Sequence, residues 1–144
     1  MYNLTRKSNW PELLENLLRS LEREPQQYGK HDCCCFVSKV LCTLTVCEVN
    51  PAKSFGTYST AKGALKIIKK AGCKTIRAFI VKQAKALGMK KVAPALAQRG
   101  DIVISKDVGG DYAAGVCVGS HAAFAFEGIQ YVPMGQIVEA WHYG

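Results

Sequence analysis

No acidic residue lies between Glu48 and Asp101, a long central stretch of this 144-residue chain. Over the same stretch Lys53, Lys62, Lys66, Lys69, Lys70, Lys74, Arg77, Lys82, Lys85, Lys90, Lys91 and Arg99 are all basic. The segment therefore carries +12 in a chain of net charge +8, and the remainder carries −4. Two readings are open: solvated helix faces, or a surface built to meet something acidic. Few aromatics interleave these lysines, which weakens a base-stacking model of nucleic-acid binding.

Long apolar runs are also missing. No window approaches the roughly 18 uninterrupted apolar residues of a membrane span. The opening MYNLTRKSNW has charges but no apolar stretch behind it, so no secretory signal is expected and synthesis in a cytoplasm is. Paired cysteine motifs are absent too. The seven cysteines (33, 34, 35, 42, 47, 73 and 117) are odd in number, and three are adjacent. Neighbouring cysteines poorly meet disulfide geometry, so reduced thiols are expected. Cys33, Cys35, Cys42, Cys47, His31 and His121 offer metal-ligand types, but no C-x-x-C pair organises them; neither a metal nor a cofactor is expected. No repeat, linker or low-complexity tract divides residues 1–144, which read as one domain.

What is present reads as helices first and strands last. Asn9 and Glu12 form a plausible capping box, followed by Trp10, Leu14, Leu17, Leu18 and Leu21 on one helical face to about Arg23. Asp32 is suited to cap a second helix, with Cys33, Phe36, Val37, Val40, Leu41 and Leu44 as its stripe. Ser59 or Thr60 caps a third, with Ala61, Ala64, Leu65 and Ile68 inward, ending at Gly72. A fourth carries Ile76, Phe79, Ile80 and Ala84 and stops near Gly88. After Gly100 the period becomes extended. DIVIS, YAAGVCVG, HAAFAF and IQYVP suggest an antiparallel meander, with VEAWHY as a last strand. Segregated helices and strands imply an α+β fold.

Cys33 falls in the first turn of the second helix. There the exposed N–H groups favour thiolate over thiol, and thiolate is the reactive form. The plain alternative is that such cysteines pack as small hydrophobes.

The stretch YGKHDCCCFV resembles the nucleophile motif of the NlpC-like cell-wall cysteine peptidases, a papain-fold superfamily. Asp32, Cys33, Phe36 and Val37 match, while Cys34 and Cys35 replace the usual Ser and Gly. Arg99-Gly100-Asp101-Ile102-Val103 is similar to that superfamily's Pro-Gly-Asp-Leu-Val strand, and Gly115-Val116-Cys117-Val118-Gly119 to its Gly-Ile-Tyr-Ile-Gly strand. From Trp10 to Trp141 the chain is similar to short bacteriophage proteins encoded among tail genes and related to these peptidases. Their Gly-Ala helix is like Tyr58 to Leu65, and their Ala-Gln-Arg-Gly-Asp strand like Ala97 to Asp101.

The resemblance implies a papain-like fold with N-terminal helices on a C-terminal antiparallel sheet. It makes Cys33 the candidate nucleophile. It also exposes a departure: the superfamily's general-base histidine stands where this chain has Ala113, expected to face the Cys33 sulfur. The third polar residue is missing from Ala122 to Phe126. His121 is expected near Val118, roughly 17 Å from Ala113 at about 3.4 Å per residue. His31 reads as a solvated loop residue, while His142, near the C-terminus, stays open as a partner for Cys33.

The implied role is a structural or assembly component of a phage tail, located in the virion and made in the host cytoplasm. Its partners are other tail proteins, through an acidic surface meeting the basic 53–99 segment. The alternative is an active cysteine endopeptidase or amidase acting on peptidoglycan peptides, with Cys33 as nucleophile.

Overall fold

The computed structural model describes residues 4–46, 58–106 and 112–144. Within them lie four helices: α1 (Trp10–Leu21), α2 (Cys33–Leu44), α3 (Ala61–Lys70) and α4 (Ile76–Ala86). Six strands follow: β1 (Lys90–Val92), β2 (Ile102–Lys106), β3 (Tyr112–Cys117), β4 (His121–Phe126), β5 (Gly128–Pro133) and β6 (Ile137–His142). The architecture is α+β, as the switch in hydrophobic period at Gly100 predicts.

All six strands join one sheet, in the order β1-β6-β2-β3-β4-β5, and every pairing is antiparallel. The expected meander covers only β2 to β5. The last strand returns to the opposite side of β2, pairing Ile102 with Trp141 and Val103 with Ala140. Register shifts between Ile104 and Ser105, where Val138 stands half exposed in the partner strand. Short β1, unforeseen because KKV has too few residues for a periodic signal, completes the far edge.

Period-two alternation divides the core between the two sheet faces. Ile102, Ile104, Ala114, Val116, Ala123 and Ala125 share a cluster with Leu14, Leu18, Phe36 and Val40 of the helices. Val103, Ala113, Cys117, Ala122, Phe124 and Ala140 form the core of the other face, against Val92, Ala97, Val132 and Met134. Alanines at 114, 123 and 125 keep the helix-facing surface low where α2 packs on β3 and β4. A large side chain there would hold the helix away from the sheet.

The local signals differ in outcome. Asn9 precedes α1 but makes no side-chain capping bond, so the capping box does not form; Pro11 starts the helix instead. The helix ends at Leu21, slightly before the expected Arg23. Asp32, Thr60 and Thr75 each accept a backbone N–H as helix caps. In α3 only Ile68 is buried, while Leu65 faces solvent, so the expected four-residue stripe is narrower.

Two of the basic segment's charges turn back on the fold. Arg77 Nε donates to Glu139 at 2.9 Å and Lys91 Nζ lies 3.4 Å away, on a carboxylate otherwise buried in β6. Lys53 lies outside the described residues, as does Cys47. Among the described residues, no helix is long and apolar enough to cross a membrane.

Candidate functional site

Asp32 organises the start of α2. Its extended backbone ends the preceding turn, and its Oδ1 accepts the Cys35 N–H at 2.8 Å. The other oxygen accepts from the Gly29 N–H at 2.7 Å and the Tyr58 hydroxyl at 2.6 Å. Gly29 is required here. It has φ +82°, and a Cβ would lie 1.9 Å from the Tyr58 carbonyl oxygen. With three donors converging on it, the Asp32 carboxylate is a structural anchor for the start of α2.

Three thiols follow, in three different environments. Cys33 is lowered from the ordinary thiol range, first by a hydrogen bond from the Cys34 thiol and further by the Ala114 backbone N–H, against the opposing effect of burial. Cys34 is pushed well above that range by the same bond, whose proton it retains, and by burial. Burial pushes Cys35 up to about 11, partly offset by the Tyr58 hydroxyl 3.7 Å away. Three adjacent thiols of one helix turn thus stand in unequal surroundings, and Cys33 is the one shifted toward the thiolate.

β3 and β4 pair over a short stretch only. Their pairing comprises only Val116↔Ala123 and Cys117↔Ala122, while Tyr112 to Val116 continue to pair with β2. The side chain of Ala113 does not face the Cys33 sulfur as expected. It packs on the other face with Val103 and Phe124, and the neighbouring Ala114 meets the cysteine through its backbone. The strand's alternation explains the difference: one residue of offset reverses the face.

Each of the chain's three histidines has a place elsewhere. His31 is buried, not solvated as the loop sequence suggested, because the Gln27↔His31 bridge folds the turn inward and Nε2 donates to the Gly128 carbonyl at 2.8 Å. His121 is exposed beside Ser120, and its carbonyl accepts from the Val118 N–H across the expected turn. His142 donates from Nδ1 to Asp101 at 2.7 Å.

Cys33 opens onto a cleft of about 70 Å³. Tyr28, Tyr58, Ile67, Ile68 and Phe79 supply walls of carbon, with α3 and α4 forming the far side. The helix stripes in the sequence pointed to Ile68 and Phe79 as core, and did not include Tyr28, Tyr58 or Ile67. The lining of a hollow depends on residues from α2, α3 and α4 coming together and leaves no local signature.

A second polar cluster went unread in the sequence. Buried Asp101 accepts from Arg6 at 2.8 Å, from His142, and from the Gln98 N–H at 2.9 Å. The Arg6 guanidinium lies over the rings of Trp10 and Tyr143, at 4.7 and 4.5 Å. It also donates to the Arg99 and Tyr143 carbonyls. An aspartate–histidine pair therefore exists, but it links the residue before β2 to the end of β6, whereas the groups acting on Cys33 are Cys34 and Ala114. Among the described residues, no three His, Cys, Asp or Glu side chains gather as a metal ion would require.

No curated protein matches this chain. Residues 5–143, nearly the whole sequence, match the family described as Domain of unknown function (DUF6950). The chain, with its helix-capping aspartate, graded thiol triplet and apolar cleft, belongs to the DUF6950 family.

Proposed function

We propose that this domain is a bacteriophage tail component built on an NlpC-like papain fold, retaining the nucleophile position at Cys33 but not the machinery of peptide hydrolysis. The observation that carries this reading is the placement of the histidines, which are engaged with Gly128, Ser120 and Asp101. Peptide cleavage by a thiol needs a group that takes the thiol proton and returns it to the leaving amine. Asp32 has its oxygens occupied, and Tyr58, held above the tyrosine range by burial and by its bond to Asp32, keeps its proton. A fold does not guarantee its usual chemistry.

The lowered pKa of Cys33 favours a second reading, an active cysteine endopeptidase or amidase on peptidoglycan peptides. One assay separates the two. Purified protein incubated with peptidoglycan fragments is expected to release no new amino termini above the Cys33→Ala background. Turnover abolished by that substitution would show that the enzyme reading is correct.

As a tail component the domain docks on acidic neighbours. Lys62, Lys66, Lys69 and Lys70 lie exposed on α3, the last two in its final turn, where they also complement the helix dipole. Each adds less than about 1 kcal/mol, but together they steer and orient association. No binding is expected when duplex or single-stranded DNA is titrated at physiological ionic strength to concentrations of about 10⁻⁵ M. Micromolar binding lost on replacing Lys66, Lys69 and Lys70 with Glu would identify nucleic acid as the partner.

A further inference from the structure

The Cys33 cleft has two properties that a docking role does not use. Its walls are carbon from Ile67, Ile68 and Phe79, and Cys33, in the first turn of α2, stands at one side. The chemistry open to such a sulfur is limited by what surrounds it. Expelling an amine from a tetrahedral intermediate requires a proton donor, and the cleft's carboxylate and Tyr58 hydroxyl are bonded to one another. Expelling a thiolate requires none, because a thiolate is a stable leaving group near neutral pH. A thiol without an imidazole is thus restricted to acyl donors that are already activated.

We infer that Cys33 is an acceptor for short aliphatic acyl groups, taking them from small-molecule acyl thioesters and holding the chain in the apolar cleft. The inference rests on the reading that this site has lost its base, and it names a substrate class for the same site. In the reaction the Cys33 sulfur attacks the thioester carbonyl. A new carbon–sulfur bond forms to Cys33, and the donor's carbon–sulfur bond breaks. The electron pair leaves with the donor sulfur, which takes its proton from water, and no oxidant or reductant is involved. The size of the hollow selects the chain. One water-sized group needs about 10–15 Å³ of such space, so a cleft of about 70 Å³ takes roughly five. That suits an acyl group of about four carbons, and a long fatty chain would extend beyond it.

The test uses the full chain with acetyl, butyryl and hexadecanoyl thioesters of N-acetylcysteamine, read by intact mass and peptide mapping. One butyryl group should add at Cys33 and be removed by hydroxylamine, and Cys33→Ala should not be labelled. Burial of two further methylenes should make butyryl transfer about tenfold faster than acetyl transfer, at about 0.8 kcal/mol each. Hexadecanoyl transfer should be slower than butyryl transfer. Glutathione, a free thiol, should show no such chain-length preference. Ile67→Phe, at a half-buried position on the cleft wall, should reduce the butyryl preference while iodoacetamide still alkylates Cys33. Equal acetyl and butyryl rates, or acylation at another cysteine, would overturn the proposal. The two readings fail differently. Peptidoglycan turnover would sink the loss of the base, whereas a missing chain-length preference sinks only acyl capture. Rapid turnover of the butyryl thioester, in place of a stable adduct, would sink both.

Discussion

Replacing Asp101 with alanine is expected to lower the free energy of unfolding by about 3–5 kcal/mol, the cost of stranding a buried charge by removing its partner. Asp101 has no exposed surface, and the Arg6 side chain that meets it is only 11% exposed. The substitution leaves the guanidinium between Trp10 and Tyr143 with its carbonyl bonds but without its counter-charge. It also strips acceptors from His142 and the Gln98 N–H. The consequence is wider than one contact, because this cluster ties residue 6 to the last strand. Asp101→Asn keeps an acceptor and should lose less. Urea unfolding of both variants provides the measurement. A loss below about 1 kcal/mol for Asp101→Ala, the value typical of surface pairs, would mean that water already satisfies Arg6.

The sequence was most legible where a single residue fixes local geometry. Asp32 before an apolar stripe specified both the start of α2 and the place of Cys33 in its first turn, since a cap acts on N–H groups only three residues away. The extended runs after Gly100 were equally plain because they are short apolar runs separated by Gly, Asp and Ser. Legibility ended where contacts cross long separations. Arg6 and Asp101 are 95 positions apart, and neither residue has a local pattern that names the other. His31 was misread for the same reason: a glycine-containing turn looks solvated until β5 is laid beside it. The face of Ala113 depended on a register that a motif of five residues does not fix. The basic segment was legible as charge, but its partial use on Glu139 required knowing that β6 returns next to β2.

Gly115→Ala is expected to be among the most disruptive single-methyl changes in the chain, and to be felt at Cys33. A Cβ at this position would lie 2.3 Å from the Ala123 carbonyl oxygen and 2.7 Å from Phe124 Cδ1. Phe124 is 1% exposed, so its ring has no free space into which to retreat. The carbonyl belongs to the strand that pairs with β3 at Val116 and Cys117, so relief requires the strands to separate. Overpacking of this kind costs about 1–3 kcal/mol, and a contact with backbone belongs at the upper end. Separation would move β3 on the side where the Ala114 N–H donates to Cys33. Losing that bond weakens support for the thiolate, and the folded-state pKa of Cys33 should rise toward the ordinary thiol value. Iodoacetamide alkylation reads this directly. In wild type the Cys33 rate should saturate at lower pH than for a free thiol, and in Gly115→Ala the profile should move to higher pH. Phe124→Leu in the Gly115→Ala background should recover part of the stability, because it removes the ring but not the carbonyl. A Gly115→Ala protein with wild-type melting and an unchanged alkylation profile would show that β3 yields without disturbing Ala114, and that the amide is not what holds the Cys33 thiol low.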